Sequence, residues 1–70
     1  MIILDTDFLI SSVKYKIDFF SELNFNYPKE KIAVIDKTIE ELKKINNFNS
    51  RTALSLIRNK KIKVMKTKKD

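Results

Sequence analysis

The sequence contains no cysteine, no histidine and no glycine. The first two absences exclude disulfide bonds, thiolate zinc sites and catalysis by histidine. The third argues against a nucleotide-binding α/β fold, because the P-loop and the dinucleotide turn both need glycine where the backbone approaches phosphate. An apolar run of about 18 residues and a cleavable signal are also missing, so we expect no membrane segment and a cytoplasmic location.

The composition is that of a small globular protein. Apolar residues make up 43% of the 70 residues and charged residues 34%, which argues against a disordered chain. A chain of this length forms at most one domain, and folding buries only about 60% of the surface that the unfolded chain exposes. We therefore expect a single domain over residues 1–70 with a marginal core.

The net charge of +6 indicates a polyanionic partner, most plausibly nucleic acid. An AT-rich genome or a thermophilic source would also enrich lysine without any such partner. All 15 basic residues except Arg51 and Arg58 are lysine, which contacts phosphate as a point charge, so binding should be salt-sensitive and indifferent to base sequence. The lysine-rich end, residues 60–70, supplies the predicted nucleic-acid contacts Lys60, Lys61, Lys63 and Lys66.

The chain opens with the stretch MIILDTDFLI, from Met1 to Ile10. Its short apolar run predicts a strand buried on both faces that ends at Asp5. In open parallel sheets the carboxyl ends of the strands face the functional crevice, which makes Asp5 a candidate metal ligand or acid/base. The alternative is that Asp5 or Asp7 only caps the following helix.

The spacing of Val13, Ile17 and Phe20 predicts an amphipathic helix to about Leu23, joined to a helical turn that begins near Asp7. Asn24–Lys31 reads as a loop. We expect its aromatic residues, Phe25 and Tyr27, to pin the loop onto the core.

The second half of the chain is predicted to contain a strand, two helices and a third strand. A second apolar run, Ile32–Ile35, predicts a strand, and the following periodicity predicts a helix over Lys37–Asn46. Ser50 is the expected N-cap of a third helix, and Ile62–Met65 alternates as a strand does. Strands separated by helices imply right-handed crossovers, so we predict an α/β fold with a three-stranded parallel sheet and flanking helices.

Helical geometry gives Glu40 and Glu41 different surroundings. On the predicted helix Glu41 lies at the margin of the apolar stripe, beside Thr38 and Ile45, whereas Glu40 points nearly opposite, into solvent. Glu41 can therefore be aimed at a neighbouring crevice. The alternative is that it forms an exposed ion pair with a lysine or has no specific role.

Together, LDTDFLI and, some thirty residues later, VIDKTIEEL resemble the first half of a PIN domain. This family of metal-dependent RNA-cleaving proteins includes VapC-type toxins and ribosomal-RNA processing nucleases of the Fcf-one kind. The family opens with an apolar strand ending in Asp-Thr-Asn and continues with a segment whose glutamate is a metal ligand. Ala53-Leu54-Ser55-Leu56 and Ile62–Met65 resemble its later helix and strand.

The resemblance implies that Asp5 and Glu41 bind Mg²⁺ or Mn²⁺ and act in catalysis. It also implies that Thr6, Asp7 and Asp36 lie around these ligands and orient them. Asp7 stands where the family usually has asparagine, and the downstream pair of acids is missing. The chain thus corresponds to an incomplete, N-terminal half of the domain.

The function implied is that of a metal-dependent endoribonuclease, in toxin–antitoxin systems or ribosomal-RNA processing. Activity would require a complementing polypeptide or a homo-oligomer that covers the open sheet edge and supplies further acids. The main alternative is a small basic module that binds RNA or a protein without catalysis. A haloacid-dehalogenase-like phosphatase, which also has an Asp-x-Asp after a strand, fits less well because Leu9 stands where that family has threonine or valine.

Overall fold

The computed structural model describes residues 1–67, so Lys68 and Lys69 of the predicted lysine-rich end lie outside the described residues. Strands and helices alternate along the chain. Their order is β1 (Ile2–Leu4), α1 (Thr6–Lys14), α2 (Phe19–Asn26), β2 (Ile32–Ile35), α3 (Asp36–Ile45), α4 (Phe48–Asn59) and β3 (Lys63–Met65).

The three strands form one parallel sheet in the order β1-β2-β3. Ile3 pairs with Ala33, which pairs in turn with Lys63, so these residues share one face of the sheet. The predicted α/β fold with a three-stranded parallel sheet is confirmed. Its central strand is β2, where Ala33 and Val34 are fully buried.

The hydrophobic core lies between one face of the sheet and the helices. Leu4 and Val34 from the sheet pack there with Leu9 of α1, Leu42 of α3 and Ala53 of α4. The fold is only 18 Å thick along its shortest axis, which corresponds to one layer of strands and one of helices. Two right-handed crossovers in the same direction along a sheet place their helices on the same side.

The expectation that β1 is buried on both faces is wrong. Leu4 is 3% exposed, but Ile3, which points to the face opposite the core, is 48% exposed. The reason is that Ile3 lies on the face that the helices do not cover and, at the sheet edge, has a neighbouring strand on one side only, whereas Ala33 of the central strand has one on both sides.

The single helix predicted to run to Leu23 is also wrong, because the chain breaks between Lys14 and Phe19. The N–H of Lys16 donates to the carbonyl of Val13 at 3.1 Å and that of Ile17 to Ser12 at 2.8 Å, which is the Schellman arrangement. Lys16 takes the left-handed conformation, with φ 56°, where most helices have glycine.

Helix α2 starts anew after this turn. Asp18 is its N-cap and accepts a hydrogen bond from the N–H of Ser21 at 3.2 Å. The helix extends into the predicted loop as far as Asn26. The predicted pinning of the aromatic residues is wrong, since Phe25 is 85% exposed and Tyr27 54%.

Helix α3 lies within one residue of the predicted bounds, whereas α4 begins earlier than predicted. Its N-cap is Asn47 and not Ser50. The Asn47 side chain accepts from the N–H of Ser50, and the Ser50 hydroxyl oxygen accepts from the N–H of Asn47, both at 2.8 Å, which forms a capping box. Every helix within residues 1–67 is too short or too polar to cross a membrane.

Candidate functional site

A cleft of about 560 Å³ opens at the carboxyl ends of β1 and β2. The two strands are parallel and in register at Leu4 and Val34, so the segments that follow them start side by side. The first turn of α1 forms one wall and α3 forms the other. Its lining residues are Asp5, Thr6, Asp7, Ile35, Thr38, Glu41, Lys44 and Ile45.

Asp5 has the capping role that the sequence analysis gave as an alternative, and it also lines the cleft. It is the N-cap of α1, where its Oδ1 accepts a hydrogen bond from the N–H of Phe8 at 2.7 Å. It is also exposed in the wall of the cleft. The cap uses Oδ1, and the carboxylate has a second oxygen, so capping and cation binding are compatible in one side chain.

Glu41 reaches the same cleft from α3. The hydroxyl of Thr6 donates a hydrogen bond to Oε1 of Glu41, across 35 residues of sequence. This bond ties the residue next to Asp5 to the glutamate. Glu40 lines a different groove, which lies on the other side of α3. The prediction that Glu40 and Glu41 have different surroundings is therefore confirmed.

The two remaining acids that the resemblance assigned to the site lie in different places. Asp7 is exposed in the wall of the cleft, in the first turn of α1. Asp36 lines the groove beside Glu40, where it accepts hydrogen bonds from the hydroxyl and the N–H of Thr67. The bond from the Thr67 hydroxyl is the main reason that the pKa of Asp36 is lowered. The structure therefore does not bring Asp36 together with Asp5 and Glu41.

The donor set of the cleft suits a hard cation. Carboxylate and hydroxyl oxygens are ligands for Mg²⁺ or Mn²⁺, and Mg²⁺ often binds proteins through one or two carboxylates while it keeps several waters. Within residues 1–67, however, three or more acidic side chains do not gather at any point that could hold a metal ion. Within the described residues, the cleft alone therefore does not form a complete metal site.

Lys44 is a residue of the cleft that the sequence analysis did not single out. It follows Glu41 by three positions and therefore lies on the same face of α3. That spacing was a signal visible in the sequence. An ammonium group beside two carboxylates can bind a phosphate group that approaches them.

Three of the four predicted nucleic-acid lysines lie at the opposite end of the sheet. Lys60 and Lys61 follow α4, and Lys63 opens β3, so all three are at the amino ends of the strands. They line a second cleft with Lys31, which precedes β2. Lys66 follows β3 and lies towards the carboxyl ends.

Known proteins add no further assignment to this geometry. The chain matches no protein family, and no curated protein or solved structure is significantly similar to it. What is established is an α/β fold with a three-stranded parallel sheet and a cleft with acidic walls at the carboxyl ends of its strands.

Proposed function

We propose that this chain is the N-terminal portion of a PIN-like, metal-dependent endoribonuclease that acts in the cytoplasm when a complementing polypeptide completes it. The proposal combines the resemblance of LDTDFLI and VIDKTIEEL to the family with the position of their acids. The observation that carries it is the hydrogen bond from Thr6 to Glu41, which joins the two motifs at one cleft.

Each residue of the cleft has a part in this proposal. Asp5 and Glu41 bind the cation, and Thr6 holds Glu41 in place. Lys44 attracts the phosphate of the RNA strand. When bound, Mg²⁺ or Mn²⁺ supplies an activated water and charge stabilisation for phosphodiester cleavage.

The complementing polypeptide has a preferred place to attach. The sheet has two edges, and β3 carries Lys63 with Lys61 and Lys66 on either side, a pattern that discourages strand addition. β1 has no charged side chain before Asp5, and along it Met1 is 55% and Ile3 48% exposed. A strand added next to β1 would end beside Asp5, where its own acids would complete the site.

A manganese titration of the isolated chain tests the proposal without the partner. We expect weak binding of Mn²⁺, measured by the loss of the free-ion signal in electron paramagnetic resonance. Glu41→Gln should weaken it about tenfold or more, because a ligand is lost, and Thr6→Val should weaken it by about tenfold, because Glu41 loses its support.

Glu40→Gln is the matched control, since it removes the same charge from the adjacent position of α3 but faces the other groove. Its affinity for Mn²⁺ should stay within about twofold of the unsubstituted chain. Equal losses in Glu40→Gln and Glu41→Gln would show that net charge and not a site attracts the ion, and the proposal would fail.

A second candidate function is a basic module that binds RNA without catalysis. The observation that favours it is the cleft lined by Lys31, Lys60, Lys61 and Lys63. A chain that binds RNA but shows no site-specific Mn²⁺ binding would have this function.

A further inference from the structure

The second cleft lies at the amino ends of β2 and β3 and has a volume of about 390 Å³. Lys31 enters it from the start of β2, Lys60 and Lys61 from the end of α4, and Lys63 from the start of β3. Parallel pairing brings these separate segments together, because residues that precede neighbouring parallel strands meet at one edge. Phe20, Asn24, Glu30, Ile32 and Ile62 complete the lining.

The acidic groups near this cleft reduce its positive charge only in part. Glu30 forms an ion pair with the amino group of Met1, so its charge is already balanced. Asp18 is close enough to Lys60 for the lysine to contribute to its lowered pKa, after the larger effect of the hydrogen bond from Ser21. Four lysine side chains thus line the cleft with a single carboxylate, that of Glu30, which is paired with the amino group of Met1.

One of the lysines is held in position. The Nζ of Lys60 lies 5.4 Å from the centre of the Phe20 ring, a cation–π contact that keeps the ammonium at the wall of the cleft. The side chain therefore loses less conformational entropy when it binds an anion than a free surface lysine does.

We propose that this amino-edge cleft is a binding site for the phosphate backbone of single-stranded RNA, separate from the acidic cleft. Its concave shape suits one strand better than a flat lipid surface. Lysine without arginine gives contact to phosphate with no readout of bases, and one face of the Phe20 ring is already covered by the ammonium of Lys60. The inference deepens the RNA-binding part of the proposed function and does not depend on metal binding.

The two clefts are at opposite ends of the same strand. β2 has four residues, and at about 3.3 Å per residue it separates them by roughly 10 Å or more. The phosphate held at the amino edge is therefore not the phosphate in position for cleavage beside Asp5 and Glu41. Binding and cleavage should respond to different substitutions.

Fluorescence anisotropy with a fluorescein-labelled 12-nucleotide oligouridine measures the binding. For Lys60→Gln combined with Lys63→Gln, the slope of log affinity against log salt concentration should fall by about 1.4, at about 0.7 per lost contact with a single strand. At low salt the affinity should fall about tenfold or more. The melting curve by circular dichroism shows that the variant is folded.

Lys14→Gln combined with Lys37→Gln is the control, because it lowers the net charge equally, from +6 by 2 to +4, on helix surfaces away from the cleft. Its affinity should stay within about twofold. An equal loss of affinity in both double variants would overturn the proposal. It would also be overturned if phosphatidylserine vesicles bound in a way that depended on Lys60 and Lys63 while oligouridine did not bind. If Glu41→Gln lost Mn²⁺ binding but kept RNA binding, this would show that RNA binding does not depend on the metal site of the nuclease proposal.

Discussion

At the scale of single residues, Asp5 shows how one side chain serves the fold and a candidate site together. As the N-cap of α1 it satisfies the N–H of Phe8, and as a wall residue of the acidic cleft it can bind a cation. Sequence reasoning presented these two roles as alternatives. The structure supports the cap directly and leaves the second carboxylate oxygen for a ligand.

The two roles of Asp5 can be separated by substitution. Asp5→Asn keeps a good N-cap, so the free energy of unfolding should change little, whereas Asp5→Ala should lower it by about 1 kcal/mol. Both substitutions remove the carboxylate and should weaken Mn²⁺ binding and abolish any RNA cleavage by the completed enzyme. Urea unfolding followed by circular dichroism gives the stabilities. If Asp5→Asn bound Mn²⁺ as well as the unsubstituted chain, Asp5 would have only its structural role.

Asp36, at the start of α3, accepts hydrogen bonds from Thr67, which follows β3. This contact makes the free energy of unfolding depend on pH. The pKa of Asp36 is lowered in the folded state, mainly by the hydrogen bond from the Thr67 hydroxyl, so the folded state favours the ionised carboxylate. This stabilisation is complete above the unfolded pKa of about 3.9 and is lost as the pH falls through the lower, folded pKa.

Removal of the Thr67 hydroxyl should therefore matter more at neutral than at acidic pH. We expect Thr67→Val to destabilise the chain at pH 7, and we expect the difference to shrink at a pH below the folded pKa of Asp36. Urea unfolding at a series of pH values measures it. Thr52→Val, in the middle of α4, is the control and should have an effect that does not vary with pH.

At the scale of elements, the absence of glycine explains the main error of the sequence analysis. Helices α1 and α4 both end in a left-handed residue, and in each case that residue is a lysine, Lys16 with φ 56° and Lys61 with φ 54°. A lysine gives no signal for a helix end, so the predicted helix continued past Lys14. Helix α3 ends at Asn46, which does favour this conformation, and its end was predicted correctly.

Replacement of these left-handed lysines by glycine should raise the free energy of unfolding. A residue with a Cβ atom in the left-handed region costs about 1–2 kcal/mol, and glycine avoids that cost while it loses more entropy on folding. Lys16→Gly should therefore stabilise the chain by up to about 1 kcal/mol in urea unfolding. Lys14→Gly, two positions earlier at the last residue of α1, should destabilise it by up to about 1 kcal/mol. Destabilisation by Lys16→Gly would show that the lysine side chain makes a compensating contact.

Hydrophobic periodicity predicted features that lie within a single helix or strand, but it missed features that depend on contacts between several of them. The bounds of β2 and α3 and the different surroundings of Glu40 and Glu41 follow from local spacing. The exposure of Ile3 follows from the position of β1 at the sheet edge, and strand order depends on contacts far apart in sequence. Local patterns carry no information about such contacts.

At the scale of the whole molecule, the predicted site residues of opposite charge lie at opposite ends of the sheet. The predicted ligands Asp5 and Glu41 line one cleft, and Lys60, Lys61 and Lys63 line the other. The sequence held the signal for this separation, because residues before a strand and residues after a strand lie at different edges of a parallel sheet. The same local signals apply to Lys31, which precedes β2, and to Lys44, which follows Glu41 by three positions on α3, although the sequence analysis did not use them.

The central strand β2 starts at the amino-edge cleft and ends at the acidic cleft, so its length sets the distance between them. In the proposed enzyme, an oligonucleotide anchored at the amino-edge cleft would have to extend along the full strand before its phosphodiester could meet a cation bound beside Asp5 and Glu41. Under that proposal, the shortest RNA that binds would be shorter than the shortest RNA that is cut, and fragments below the second length would act as competitors and not as substrates.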